Sequence, residues 1–133
     1  MKDLKIRAWY EPSAHMYYNI YMKPSYCGNQ FIKYEWYAMS FNNSFEMKLS
    51  NRYVYLMGSS GLTDKCNEEI YEGDIVEFNS RIGYIKWDYN KAMFVIITRD
   101  KNLIGYLNSY IASRCRIIGD IFNNMKLLYK NMQ

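Results

Sequence analysis

Short runs of alternating apolar and polar residues, closely spaced along the chain, constrain the fold more than any other feature of this sequence. In the C-terminal half "DIVEF", "GYIKWD" and "AMFVIIT" follow one another, and "LIGYL" and "CRIIGDI" continue the series. A period of two residues is typical of a β-strand with one buried face, and turn residues between such runs indicate antiparallel neighbours. The pattern predicts a small antiparallel barrel over residues 70–120. Its inward side chains are predicted to be Val76, Phe78, Ile85, Trp87, Phe94 and Ile117.

The N-terminal half is also predicted to be rich in strands. "LKIRAWY" alternates, and "HMYYNIYM" at 15–22 is expected to pair back with it as a hairpin, until Pro24 and Gly28 interrupt the chain. "FIKYEWYAMSF" at 31–41 fits a strand by its aromatic residues and a short helix by their spacing, and we favour the strand.

A loop dense in Gly, Ser, Asp and Asn is the predicted boundary between the two halves. "RYVYLM" alternates immediately before "GSSGLTDKCNEE". We therefore predict an N-terminal β-rich part over residues 1–57 and a C-terminal part over residues 58–133. The last residues, "NNMKLLYKNMQ", offer Asn123 as an N-cap and an apolar stripe after it, which predicts a short terminal helix.

Composition indicates a folded chain with no strong preference for one partner. The 133 residues are 50% hydrophobic and 18% aromatic, which is typical of a folded, β-rich protein of about one domain. The longest apolar run, "AMFVII", is far shorter than a membrane span, and the charged start does not resemble a signal peptide, so we expect a cytoplasmic protein. A net charge of +4 permits an anionic partner without requiring one.

Candidate catalytic and metal-binding residues are few. His15 is the only histidine, and a surface or turn role is favoured for it. Cys66 lies beside Lys65 and is the best candidate for a reactive thiol, although an ordinary loop cysteine is the safer interpretation. A solvated turn is favoured over a cation site for the acidic residues Glu68, Glu69, Glu72 and Asp74. We therefore predict no enzymatic activity, no cofactor and no metal.

The stretch "YEGDIV" is interpreted as a turn that forms the fold. Gly73 can adopt positive φ without steric cost, and the Asp74 side chain can accept hydrogen bonds from nearby backbone N–H groups where the strand begins.

Basic residues lie beside aromatic residues in four places, "KIRAWY", "IKYEWY", "NRYVY" and "YIKW". Such faces can stack nucleic-acid bases and contact phosphates. The same pattern is produced by any strand with one buried aromatic face and one solvated basic face, so both interpretations stay open.

Several of these segments, taken in order, resemble the YopX family of phage and prophage proteins. The segments are "LKIRAWY", "YLMGSSGLTDKCNEEIYEGDIVEF", "GYIKWDYNKAMF" and "RIIGDIFNN", of which "GLTDKCNEEIYEGDIV" followed by "IKWD" is the most specific. The resemblance implies a two-part protein whose C-terminal part is an SH3-like small barrel, encoded by a bacteriophage or prophage, with no established activity. Residues 23–50 match nothing in the family pattern.

These observations lead us to expect a non-catalytic phage or prophage accessory protein in the cytoplasm of a bacterial host. It would bind a host protein or nucleoprotein complex, in counter-defence, by occluding a surface. The alternative is a nucleic-acid-binding small-barrel protein acting in phage replication or regulation. The predicted partner-binding residues are Lys5, Arg7, Trp9, Lys33, Tyr34, Glu35 and Tyr37. For Phe31, Tyr34 and Trp36, packing within the N-terminal sheet is an equally good interpretation.

Overall fold

The computed structural model describes residues 5–39 and 45–129. These residues form mainly β-structure, which confirms the predicted fold class. They divide into two compact units, an N-terminal unit, Ile6–Met57, and a C-terminal unit of residues 58–129 together with Lys5. No helix within these two ranges is long and apolar enough to cross a membrane.

The N-terminal unit is built from antiparallel strands. They are β1 (Ile6–Tyr10), β2 (His15–Tyr17), β3 (Ile20–Cys27), β4 (Gln30–Met39), β5 (Glu46–Leu49) and the beginning of β6 (Val54–Thr63). β1 lies between β2 and β6, and β3, β4 and β5 form a separate three-stranded sheet in that order. Its buried cluster is Ala8, Tyr17, Ala38 and Leu49.

The predicted hairpin at the start of the chain is only partly correct. β2 does pair with β1, with Ala8 opposite Tyr17, but the strand ends at Tyr17. Ile20 begins β3, which pairs with β4 instead. The break falls at Tyr18 and Asn19, where one asparagine is the only turn former in an aromatic-rich stretch that otherwise favours strands.

Residues 31–39 belong to a strand, β4, as favoured from the aromatic content, whereas residues 40–41 of that stretch lie outside the described ranges. Pro24 does not interrupt the chain, because it lies inside β3, opposite Tyr34 of β4. β3 is an edge strand, where a missing N–H is tolerated. Gly28 follows β3 with φ of 61° and is the first residue of a two-residue hairpin loop, where some tight turns require positive φ.

The C-terminal unit contains the end of β6, six further strands and a short helix. The strands are β7 (Glu69–Tyr71), β8 (Asp74–Phe78), β9 (Arg81–Asp88), β10 (Met93–Ile97), β11 (Leu103–Tyr106) and β12 (Arg116–Asp120). Five of them form a curled, half-barrel antiparallel sheet in the order β11-β10-β9-β8-β12. The α-helix α1, Ser109–Ala112, begins after Asn108, whose side chain accepts a hydrogen bond from the Ile111 N–H at 2.8 Å. The predicted terminal helix is a 3-10 helix over Met125–Tyr129.

The core of the C-terminal unit lies on one face of this sheet. Val76, Phe78 and Ile85 are buried there, as predicted. Phe94 and Ile117 are partly buried against the same cluster, and the half-buried Trp87 packs edge-to-face on Phe94 at 4.8 Å between ring centroids. The resemblance of this sheet to an SH3-like barrel stays a prediction.

The predicted loop over residues 58–69 is wrong in its first half, because residues 58–63 continue β6. The Ser59 N–H donates to the Lys5 carbonyl at 2.8 Å, and the register of β6 against β7 shifts between Ser59 and Thr63. Gly61, with φ of 76°, lies at this irregularity. The glycine and serine residues of this segment therefore lie in an irregular strand, although a segment rich in these residues is typical of a loop.

The stretch "YEGDIV" forms the turn that was predicted. Gly73 has φ of 92°, and the carboxylate of Asp74, which is 3% exposed, accepts the Tyr71 N–H at 2.8 Å. This turn leads from β7 into β8.

Candidate partner-binding site

The hairpin of β3 and β4 extends beyond the third strand of its sheet. β5 pairs only with Trp36–Met39 of β4, whereas β3 pairs with β4 as far as Gln30. Residues 30–35 of β4 therefore have a neighbouring strand on one side only, within the described ranges.

One side of this hairpin is aromatic and exposed. The register pairs Pro24 with Tyr34 and, after a bulge, Tyr26 with Phe31, so these side chains share the face that carries Trp36 and Ala38 into the core. We name this surface the aromatic face; its residues are Met22, Pro24, Tyr26, Phe31 and Tyr34.

The rings of the aromatic face contact each other and are about half exposed or more. The ring centroids of Phe31 lie 5.1 Å from Tyr34 and 6.1 Å from Tyr26. The exposed fractions are 60% for Tyr26, 59% for Tyr34 and 46% for Phe31. A cluster of large rings left this exposed is typical of a contact surface.

The opposite side of the sheet is charged. We name it the charged face; its residues are Tyr21, Lys23, Lys33, Glu35, Tyr37, Glu46 and Lys48. Glu35 is 8% exposed and lies between two lysines, with Lys48 at 2.8 Å and Lys33 at 3.8 Å. The hydrogen bond from Lys48 holds the pKa of Glu35 below its usual range, and the same bond raises the pKa of Lys48.

A second acidic residue organises the far end of the charged face. Glu46 accepts hydrogen bonds from Lys23, at 2.8 Å, and from the Tyr21 hydroxyl. The hydrogen bond to Glu46 raises the pKa of Tyr21 to about 12, and the bond from Lys23 lowers the pKa of Glu46. The ammonium group of Lys23 also lies 4.9 Å from the ring centroid of Tyr37.

A cleft of about 420 Å³ opens where β5 ends. Lys33 and Glu35 line it from β4, and Lys48, Asn51 and Arg52 line it from β5 and the following turn. That turn is closed by a hydrogen bond from the Tyr53 N–H to the Ser50 carbonyl at 3.0 Å. Three cationic side chains against one carboxylate give this cleft an excess of positive charge.

The predicted site residues of β4 lie on this hairpin, where Glu35 is nearly buried. Lys33, Glu35 and Tyr37 lie together on the charged face, and Tyr34 lies on the aromatic face. Lys5 is exposed and forms an ion pair with Glu69 at 3.2 Å in the C-terminal unit.

Arg7 and Trp9 do not form the exposed basic face that was predicted for the first strand. They are 2% and 6% exposed, and Ala8 between them is also buried. Consecutive buried residues show that both faces of β1 are covered, so alternation could not assign one of them to solvent. Arg7 donates to the Tyr18 hydroxyl at 3.3 Å, and the Trp9 ring N–H donates to Glu11 at 2.8 Å.

Sequence reasoning missed several residues of this site. Phe31 was considered both as a contact and as a packing residue, whereas Tyr26 was recognised through the bulge, and Lys48 and Arg52 through the pairing of β5 with β4. The "NRYVY" pattern did mark the position of Arg52, but not its neighbours.

A second groove, of about 370 Å³, lies on the outer face of the C-terminal sheet. Its floor includes Val95 and Ile97, and Lys86 and Lys101 line its walls. Lys101 donates to the Tyr84 hydroxyl at 2.7 Å. Nearby, Lys91 donates to Tyr106 at 2.9 Å, and this bond raises the pKa of Lys91.

Nucleophilic and metal-ligating residues are dispersed. No group of three or more His, Cys, Asp or Glu side chains in residues 5–39 and 45–129 is arranged to hold a metal ion. His15 is exposed and lies edge-on to Tyr17, 4.6 Å between ring centroids. Cys27 and Cys66 are exposed, whereas Cys115 is buried, and burial raises its thiol pKa to about 11.

Comparison with known proteins identifies the family. Two solved structures share the fold. One is protein EF1440 from Enterococcus faecalis, with a TM-score of 0.59 and 23% identity; the match covers 96% of this chain and 99% of that chain. The other is protein yopX from Bacillus subtilis, with a TM-score of 0.52 and 14% identity; the match covers 92% of this chain and 96% of that chain. At these identities the likeness establishes the fold alone. No curated protein matches the sequence. The family model of the YopX protein matches residues 5–129, which include residues 23–50, where no resemblance was found from the sequence, and the chain therefore belongs to the YopX family.

Proposed function

We propose that this protein is a non-catalytic phage or prophage accessory protein that binds a host macromolecule in the bacterial cytoplasm and acts by occluding its surface, as a counter-defence inhibitor. The observation that carries the proposal is the exposed aromatic face of the β3–β4 hairpin. The phage or prophage setting is implied by the sequence resemblance described above.

The aromatic face of the hairpin has the character of a protein-binding surface. Phe31 and Tyr34 would supply an apolar contact centre, whereas Lys33 and Glu35 lie on the opposite face, where Glu35 is 8% exposed and paired with lysines. Tyrosine and other large aromatic residues are enriched in the central, energetically dominant part of protein interfaces. A host protein, alone or within a nucleoprotein complex, is therefore the partner that this chemistry favours.

Absence of catalysis is part of the proposal and is supported by the sequence. The chain has one histidine, His15, and its glycines at 58 and 61 do not continue into a phosphate-binding motif. We expect the purified protein to show no hydrolase, nuclease or transferase turnover with or without divalent metals. Activity that co-purifies with the protein and is lost on a single substitution would contradict this.

Single alanine substitutions test the proposed surface. Phe31→Ala and Tyr34→Ala should each weaken capture of the host partner by about tenfold or more while the melting temperature stays unchanged, because these rings make little contact with the core. Partner capture is measured by quantitative pull-down from host extract, and melting by circular dichroism. Tyr110→Ala is the matched control, since Tyr110 is 61% exposed on the C-terminal unit.

The charged face gives the opposite expectation for one residue. Glu35→Ala removes the nearly buried carboxylate that pairs with Lys48 and Lys33 and should lower the melting temperature modestly, because both lysines are more than half exposed. If Phe31→Ala and Tyr34→Ala also lowered the melting temperature in parallel with capture, their rings would be packing residues and the proposed surface would be wrong.

The second candidate function, nucleic-acid binding, is favoured by the groove on the C-terminal sheet. Lys86 and Lys101 line the groove with one carboxylate, that of Asp88, and with Trp87 and Tyr89, so the groove combines an excess of cations with rings that could stack on bases. A labelled single-stranded oligonucleotide should then bind with steep salt dependence, and Lys86→Glu should weaken it. Binding that is weak and insensitive to these changes would leave protein binding as the function.

A further inference from the structure

We infer that the open edge of β4, residues 30–35, binds an extended acidic segment of the partner protein as an added β-strand, in line with β5. The inference rests on the proposed function and specifies the partner's chemistry. The added strand would contact the edge of β4 and the cationic cleft in addition to the aromatic face.

The direction of the backbone groups shows which residue is available at this edge. The Met39 N–H donates to the Asn19 carbonyl at 3.1 Å, so the backbone groups of odd-numbered residues in this part of β4 point towards β3. In an antiparallel ladder the intervening residues point the other way. The N–H and C=O of Tyr34 therefore face the side on which β5 pairs with Trp36.

The cleft occupies the place that a longer β5 would take. The last pair of that ladder is Trp36 with Leu49, after which the chain turns away through Ser50 and Arg52. Lys33 and Glu35 of the unpaired edge line the cleft together with this turn. A strand from another protein could therefore lie along β4 without displacing any described strand.

The side chains on each side of the edge define the sequence of the added strand. Alternate residues would face Lys33, Lys48 and Arg52, whose excess positive charge favours Glu or Asp. The residues between them would face Phe31 and Tyr34 of the aromatic face, which favours apolar side chains. The expected ligand is thus an extended peptide that alternates acidic and apolar residues.

The first test uses a labelled peptide of alternating Glu and Val, as long as the open edge, titrated onto the full chain and followed by fluorescence anisotropy. A peptide with Lys in place of Glu should bind about tenfold more weakly or worse. Two further peptides carry N-methyl groups, one on the odd-numbered and one on the even-numbered backbone nitrogens. The peptide whose methyl groups block the N–H groups that face β4 should bind about fivefold more weakly or worse, and the other should lose less than about twofold. Only strand pairing distinguishes the two sets.

The second test removes one donor from the protein. Tyr34→Pro and Tyr34→Ala both lose the ring, but only Tyr34→Pro loses the N–H at the open edge, and the ladder to β3 does not use that N–H. The proline variant should therefore bind the acidic peptide about fivefold more weakly than the alanine variant. Arg52→Glu should weaken it by about tenfold, whereas Lys126→Glu on the C-terminal unit should leave it unchanged.

Three results would overturn the inference: no binding of the acidic peptide by the folded chain, equal binding of the Lys peptide, or equal effects of the two methylated sets. If one of these occurred while Phe31→Ala still abolished partner capture, the partner would use the aromatic face without adding a strand. If capture survived every substitution in the hairpin, the proposed function itself would be wrong.

Discussion

A single buried carboxylate fastens two distant parts of the C-terminal unit. Asp64 is 5% exposed, and one of its oxygens accepts the N–H groups of Cys66 and Glu68, each at 2.9 Å. Its other oxygen accepts the N–H of Ile117, also at 2.9 Å, in β12. The loop that follows β6 is therefore held near the edge strand β12 by this side chain, together with the backbone hydrogen bond from the Lys65 N–H to the Cys115 carbonyl at 2.9 Å.

Substitution of Asp64 should show how much this arrangement stabilises the unit. Asp64→Ala leaves three N–H groups without this acceptor and should lower the free energy of unfolding by about 2–3 kcal/mol. Asp64→Asn keeps one acceptor oxygen and should cost less. Urea denaturation measures both, with the exposed Asp100→Ala as control. Equal stability of Asp64→Ala and the parent would mean that these hydrogen bonds contribute little.

At the scale of the element, the β9–β10 ladder depends on the absence of a side chain at one position. A Cβ added at Gly83 would lie 2.7 Å from the Ile97 carbonyl oxygen and 2.9 Å from a methyl carbon of Ile96. The nearer atom belongs to the backbone of β10, so a strand and not only a side chain would have to move.

Gly83→Ala should therefore destabilise the protein by about 1–3 kcal/mol, in the range of an overpacked core. Gly58→Ala is the matched control, because a Cβ at Gly58 meets no atom within 4 Å and its φ is not positive. Urea denaturation of the two variants checks the difference. If both lost the same stability, loss of backbone freedom and not the close approach would be the cause.

The elements that local chemistry defines could be predicted from sequence. The turn between β9 and β10 is closed by Asp88, whose side chain accepts the N–H groups of Asn90 and Lys91, and such turn residues are recognisable without the structure. Gly73 and Asp74 were recognisable for the same reason.

Features that depend on distant partners could not be predicted. Whether Arg7 is buried depends on what covers β1, and the continuation of β6 through Gly58 depends on its pairing with β7 and on Lys5. Likewise, the binding site was only partly predicted because the open edge of β4 exists only where β5 stops. The alternation of residues in a strand does not reveal which distant strand pairs with it or where that pairing ends.

At the scale of the whole molecule, ionisable groups in both units make stability depend on pH in two directions. Glu35 and Glu46 have lowered pKa values, so their stabilisation is present above about pH 4.3 and is lost as the pH falls through those lowered values. Cys115 has a raised pKa of about 11. Its stabilisation is present below about pH 8.5, the usual thiol pKa, and is lost as the pH rises through the folded-state value.

The free energy of unfolding should therefore be highest between about pH 5 and pH 8 and should fall on both sides. Urea denaturation from about pH 3 to about pH 11 measures this curve. Cys115→Ala should flatten the alkaline limb between about pH 8.5 and about pH 10, below the range in which the raised pKa of Tyr21 takes effect. Glu46→Gln should reduce the acidic limb without abolishing it, since Glu35 keeps its lowered pKa. A parent curve without any alkaline decrease would contradict the burial of the Cys115 thiol.

Pro24 lies in the edge strand β3 and limits strand pairing at that edge of the hairpin. Pro24 lies opposite Tyr34, a residue whose backbone groups face away from the ladder, so the missing N–H of Pro24 lies on the outer edge of β3. A fibre can grow by strand pairing only if every molecule has two unpaired strand edges, one for each neighbour. Because proline interrupts the edge of β3, only the edge of β4 remains for the strand addition proposed above, and we expect a single complex and no fibre.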